Sequence, residues 1–225
     1  MKRKKACRVM TVILAFVMAF TVMLQTECEV YAATPVSSHG RLSVKGADLV
    51  DARKRKFQLR GISTHGINWD VGAPYVNKAA FKTLRDDWGT NAVRLAMYTS
   101  EYNGYCSGGN KAALRNQIYK GVQYATELGM YVIIDWHILN DGNPKSHLRD
   151  AKSFFATMSK KYKNQKNVIY EICNEPNGCS WNTIKSYATQ VIKVIRKNDK
   201  NGIIVVGTPT WSQLGSDGTH NEVAN

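Results

Sequence analysis

The chain has 225 residues, the size of one large domain. Its formal net charge is +14, but the basic residues are scattered (Arg53-Lys54-Arg55-Lys56, Lys160-Lys161, Arg196-Lys197) and not interleaved with aromatic rings. That pattern argues against nucleic-acid binding and for a solvated surface with some attraction for anionic cell-wall material.

Lys2, Arg3, Lys4, Lys5 and Arg8 precede an apolar run over residues 9–24 and then Val30-Tyr31-Ala32-Ala33. This is the order of a secretory signal peptide, with cleavage expected after Ala32 or Ala33. The apolar run is shorter than the ~20 residues of a spanning helix. The expected location is therefore extracellular, with no membrane attachment after cleavage. Removing residues 1–33 takes away five basic and two acidic side chains, so the formal charge falls from +14 to about +11. Cys106, Cys173 and Cys179 remain. An odd count without framework spacing argues against a disulfide scaffold, and whether Cys106 and Cys179 pair stays open. There is no CxxC, HExxH or Cys/His cluster, so neither a metal nor a cofactor is expected.

Residues 34–39 read as a polar linker and 41–59 as two short strands around a charged turn at Gly46. A regular alternation follows. Strands are expected at 57–63, 91–97, 130–136, 167–173 and 202–207, and helices at 77–88, 111–128, 148–162 and 181–198. The repeat is roughly 35 residues, as in parallel βαβ units. Both a doubly wound sheet and a (β/α)8 barrel fit this pattern. No Gly-rich phosphate fingerprint follows the first strand. Instead, polar residues gather at the carboxyl ends of several strands, which favours a TIM barrel with about five of its eight βα units in this chain.

Those ends carry His65, Trp69 and Asp70; Arg94 and Tyr98; Asp135 and His137; Asn174 and Glu175; and Trp211. Pro176 and Asn177-Gly178 stop the fourth strand, which places Glu175 at its very end as a candidate general acid/base. Strict alternation over 170–175 would put Glu171, Cys173 and Glu175 on one face and Tyr170, Ile172 and Asn174 on the other. Trp69 is the expected sugar-stacking platform and Trp136 the expected core tryptophan. Glycoside hydrolysis needs two carboxylates. Asp135 and Glu171 lie deeper in the barrel than Glu175, and Asp135 reads as a buried hydrogen-bond partner. The pair is incomplete on these residues.

Six segments, Ser63-Thr64-His65-Gly66, Leu84-Arg85-Asp86-Asp87-Trp88-Gly89, Arg94-Leu95-Ala96-Met97-Tyr98, Tyr131 through His137, Val168 through Gly178 and Thr210-Trp211-Ser212-Gln213, resemble the family 5 glycoside hydrolases. The likeness is strongest to bacterial secreted endo-β-1,4-glucanases. The resemblance implies a retaining double displacement on a β-glucan polysaccharide by a monomeric enzyme. Glu175 would be the acid/base, Asn174 the partner of the sugar 2-hydroxyl, and Arg94 the residue holding the nucleophile. His65, Trp69, Asp70, Tyr98, His137 and Trp211 would line the substrate cleft. The resemblance also implies a glutamate nucleophile on a seventh strand, absent from this chain, so residues 34–225 are expected to be a truncated catalytic domain, inactive alone. A mannan- or xylan-acting enzyme of the same clan and a non-catalytic glucan-binding protein remain as alternatives.

Overall fold

A computed structural model of the chain describes residues 33–213. The signal-peptide reading of residues 1–33 falls outside the described residues, apart from Ala33. Among the described residues, no helix is long and apolar enough to cross a membrane.

Helix α1 (Pro35–His39) leads into a hairpin of β1 (Ser43–Lys45) and β2 (Asp48–Val50). Residues 34–39 are thus not a linker. The Thr34 hydroxyl caps the helix by accepting from the Ser37 N–H, and Pro35 opens its first turn. Five parallel strands follow: β3 (Gly61–Ser63), β4 (Ala92–Tyr98), β5 (Tyr131–His137), β6 (Val168–Glu171) and β7 (Ile203–Val205). They pair in chain order into one sheet. Helices α2 (Lys78–Asp86), α3 (Lys111–Glu127), α4 (Leu148–Tyr162) and α5 (Trp181–Asn198) connect them. This is the architecture of a partial TIM barrel. The first strand is shorter than expected, because residues 57–60 precede the ladder that begins at Gly61.

Helix starts are set by side-chain caps: Asn77 accepts from the Ala80 N–H, Asn110 from those of Ala112 and Ala113, and Ser180 from that of Thr183. Each helix then buries one stripe. Leu114, Ile118, Val122 and Ala125 of α3 recur at three- and four-residue spacing, as do Ile184, Ala188, Val191 and Ile195 of α5. Val93, Leu95, Met97, Ile134 and Trp136, which point outward from β4 and β5, share one core cluster with the α3 stripe and with Ala188, Val191 and Ile195 of α5. Trp136 is fully buried and packs against Tyr105, Phe154 and Phe155. The opposite strand faces form the barrel interior. Its lower layer is apolar, built from Leu42, Ala92, Tyr131 and Ile169, with Ile133 and Ile203 beside them. Its upper layer is polar and carries the site.

Candidate active site

The register of the sheet assembles the site. Ser63 lies beside Arg94, Tyr98 beside His137, and Asp135 between Ala96 and Glu171. Arg94 rises from β4 into the centre. Its Nε donates to Glu171 Oε2 at 2.7 Å, and its Nη2 donates to Glu171 Oε1 at 2.9 Å and to Asn174 Oδ1 at 2.6 Å. Nη2 also lies 2.9 Å from Asp135 Oδ2, and Nη1 reaches Ser63 Oγ at 3.2 Å. One planar guanidinium thus ties together four strands. Burial alone would lower the Arg94 pKa, but its bonds to Glu171 and the charges of Asp135, Glu171 and Glu175 drive it up. Burial raises the Glu171 carboxyl above its ordinary value, and the Arg94 contact only partly offsets that.

His137 is fixed from both sides. Its Nδ1 lies 2.5 Å from Asp135 Oδ2, and Asn174 Nδ2 sits 3.2 Å from its Nε2. Asp135 can only accept in its ionised form, so the ring proton is on Nδ1 and Nε2 accepts from the amide. Asn174 Nδ2 also donates to Ile138 O at 3.0 Å. Both amide hydrogens are therefore used, and Oδ1 keeps one lone pair beyond the Arg94 bond for a ligand hydroxyl.

The placement of Asn174 departs from strict alternation. Tyr170, Ile172 and Cys173 all enter the outer core, while Glu171 and Asn174 meet at Arg94. The cause is a one-residue insertion at the end of β6. Glu171 pairs with Val205 and the Ile172 N–H donates to Val205 O, but the Gly207 N–H then donates to Cys173 O, one residue later than that register requires. A bulge of this kind re-aims the residues that follow it. Gly207 permits the close approach: a Cβ there would lie 2.4 Å from both Cys173 O and Asn174 O.

Glu175 follows, half-buried beyond the end of β6, close enough that its charge acts on Arg94 and Tyr98. An aromatic wall faces it. The Tyr98 ring is 4.0 Å from His137 and 4.6 Å from Trp69, and the Trp69 ring is 5.3 Å from His65. Burial raises the Tyr98 pKa, with Glu101 and Asp135 adding to the effect, so the phenol stays a proton donor. His65 Nδ1 accepts from the Gly66 N–H at 2.9 Å, which leaves Nε2–H as an exposed donor. Gly66 is needed here because a Cβ would lie 2.8 Å from the rings of both Trp69 and Tyr98. Trp69 Nε1 donates to Tyr102 O at 2.6 Å, joined by Asn68 Nδ2 at 3.0 Å.

Trp211 stands 45% exposed in a turn where Thr210, Trp211 and Ser212 are all left-handed, with φ of 57°, 53° and 62°. Each such non-glycine residue costs on the order of 1–2 kcal/mol. The turn is held by the Trp211 N–H donating to Pro176 O and by Ser212 Oγ donating to Asn174 O at 2.7 Å. The strained turn is therefore stapled to the backbone that carries Asn174 and Glu175. Asp70 is exposed in the loop after Trp69, and among the described residues no hydrogen bond ties it to the network.

Residues that the sequence did not single out support the rim. Thr99 Oγ1 donates to Asp141 Oδ2 at 2.8 Å, and Glu101 Oε1 accepts from the Asn140 N–H at 2.8 Å. Cys106 is a free thiol, so it forms no bond to Cys179. Buried carboxylates, an oriented imidazole and an aromatic wall make a site suited to gripping a hydroxyl-rich ring and moving a proton at Glu175. Among the described residues, the other carboxylates of the network, Asp135 and Glu171, are committed to Arg94 and His137.

Residues 50–225 match the family described as cellulase (glycosyl hydrolase family 5). The chain is 52% identical over 177 residues to endoglucanase A of Butyrivibrio fibrisolvens, covering 77% of this chain and 40% of that protein. It is 44% identical over 223 residues to endoglucanase N of Pectobacterium atrosepticum, covering 98% of this chain and 47% of that one. Among solved structures, cellulase Cel5C_n superposes with a TM-score of 0.78 at 45% identity, over 80% of this chain and 57% of that one. The Thermobifida fusca endoglucanase Cel5A catalytic domain in complex with cellotetraose gives 0.77 at 41% identity, over 83% and 60%. The chain thus spans less than half the length of the Butyrivibrio and Pectobacterium endoglucanases.

Proposed function

The chain belongs to the cellulase family, glycosyl hydrolase family 5, and on that footing we propose that the complete protein is a secreted endo-β-1,4-glucanase acting with retention of configuration. The observation that carries this reading is the convergence of Arg94, His137, Asn174 and Glu175 at the strand ends, beside the wall of Tyr98, Trp69 and His65.

In this mechanism Glu175 protonates the leaving glycosidic oxygen while a second carboxylate attacks the anomeric carbon. Glu175 then removes a proton from the water that releases the glycosyl-enzyme. Asn174 Oδ1 accepts from the sugar 2-hydroxyl. Arg94 keeps that amide in place and offers positive charge to the attacking carboxylate. Sugar rings pack their C–H faces on Trp69 and Trp211, His65 and Tyr98 bond the hydroxyls, and His137, whose ring nitrogens already serve Asp135 and Asn174, lines the cleft and holds the Asn174 amide toward the sugar. Asp70 contacts substrate at the outer rim.

The nucleophile comes from a segment outside this chain. Two findings support that. The chain covers about half of its relatives, and the sheet has apolar edges at β3 and β7, where Ile62 is 43% and Val205 38% exposed. Beside β3 runs an apolar groove of about 410 Å³, lined by Ile62, Val71, Tyr75, Leu84 and Trp88. Further barrel units would cover these surfaces, and the chain alone is expected to be inactive and poorly soluble.

The test is product analysis. The complete protein should release β-anomeric oligosaccharides from soluble cellulose and lichenan, seen by proton NMR before mutarotation. Preferred release from mannan or xylan would move the protein to another specificity of the clan. Binding of cello-oligosaccharides by a folded complete protein without any turnover would make it a glucan-binding protein. Amino-terminal sequencing of the exported protein should begin at Ala33 or Thr34; an uncleaved membrane-bound product would contradict the leader.

A further inference from the structure

Three donors of different chemistry converge at a place that shares no residue with the Arg94 network. Cys106 Sγ, a ring nitrogen of His147 and a carboxylate oxygen of Asp150 all lie within 4.8 Å of one another. All three residues are half-buried. We propose that they bind a zinc-class transition-metal ion, with Cys106 as thiolate, His147 as neutral imidazole, Asp150 as carboxylate and water in the fourth position.

The donor set selects the ion. Calcium and magnesium take oxygen ligands, whereas a thiolate beside an imidazole suits zinc or cobalt. A tetrahedral zinc holds such donors roughly 3.4–3.7 Å apart. A contraction of about 1 Å closes the set, within reach of side-chain adjustment.

The scaffold fixes each ligand. The Cys106 N–H donates to Thr99 O at 2.9 Å, which pins the loop after β4 to the end of that strand. His147 closes the 3-10 turn Pro144–His147, and Asp150 lies three residues on in the first turn of α4, a spacing that sets the two side chains on one face. Ser100 Oγ lies 2.8 Å from His147 Nε2 and orients the ring, as partners of metal-bound histidines do. Lys111 Nζ, 5.2 Å from the Tyr105 ring centroid, donates to Asp150 Oδ1 at 2.5 Å, so the ion competes with an ammonium for that carboxylate. A thiol must lose its proton to bind the ion, so binding releases one. The consequence is mechanical. The ion would clamp the loop whose Tyr102 carbonyl holds Trp69 and Asn68 to the start of α4.

The experiment is cobalt titration of the chelator-stripped complete protein. One equivalent should produce a thiolate-to-cobalt charge-transfer band with the visible bands of a four-coordinate ion, and zinc should bleach both. Zinc should also raise the unfolding temperature and protect Cys106 from iodoacetamide, mapped by mass spectrometry. Cys106→Ser should abolish the band and weaken zinc binding by about a hundredfold or more. Lys111→Met should tighten zinc binding about tenfold by removing the competing charge. Cys173→Ala should keep the band. Persistence of the band in Cys106→Ser overturns the proposal. If that variant does not fold, the wild-type protein decides: absence of a thiolate band, or equal alkylation of Cys106 with and without zinc, overturns it as well.

Discussion

Replacing Arg94 by methionine removes the cation but keeps most of the side-chain volume. In the native site that guanidinium serves two carboxylates and an amide, and Asp135 already has one buried oxygen, Oδ1, without a hydrogen-bond partner among the described residues. Stripping the partner from a buried ion pair costs about 3–5 kcal/mol, and here Glu171 loses both of its bonds while Asp135 keeps only His137. For a domain of this size the unfolding temperature should fall by roughly 10 °C or more. The deficit should depend on pH. Burial already holds Glu171 above the ordinary carboxylate range, and loss of Arg94 raises it further. A carboxyl with a raised folded pKa contributes stability that is full below its unfolded value, about 4.3, and lost as pH rises through the folded value. The gap between variant and wild type should therefore be widest near about pH 8 and narrow toward about pH 5. Thermal unfolding of both proteins across that range is the assay. A gap that does not change with pH, or one below about 1 kcal/mol, would refute the reasoning.

Asn174→Ala in the complete enzyme should lower kcat/KM on soluble cellulose by about 10²–10³-fold, since it removes the partner of the 2-hydroxyl and frees Arg94 and His137 to shift. Steady-state kinetics would check this, and a loss under tenfold would remove Asn174 from the mechanism. Trp69→Ala should raise KM about tenfold with little change in kcat, because stacking acts on ground and transition states alike. A fall confined to kcat would contradict a platform role.

Most of the architecture was legible because helix and strand periods are local properties. Helices Leu148–Tyr162 and Trp181–Asn198 begin and end where their apolar stripes place them, and Ser180 caps the second. Asp135 and His137 share a face as alternation requires, and Trp136 between them is core. Alternation failed at Asn174 because a bulge depends on where Gly207 of the neighbouring strand pairs, which no pattern within residues 168–178 reveals. The helix over residues 35–39 was hidden by its shortness; only the Thr34 cap and Pro35 signal it. Cys106, His147 and Asp150 were invisible together for the same reason as the bulge. Their meeting depends on how the loop after β4 seats against the start of α4, and their spacing matches no metal motif.

Glu175 as the proton donor is tested most directly by Glu175→Gln in the complete enzyme. Turnover of polysaccharide should fall by about 10²–10⁴-fold. The glycosylation step with an aryl glycoside whose leaving group needs no protonation should be nearly spared. Equal losses on both substrates would contradict the acid role and, with it, the mechanism proposed for this site.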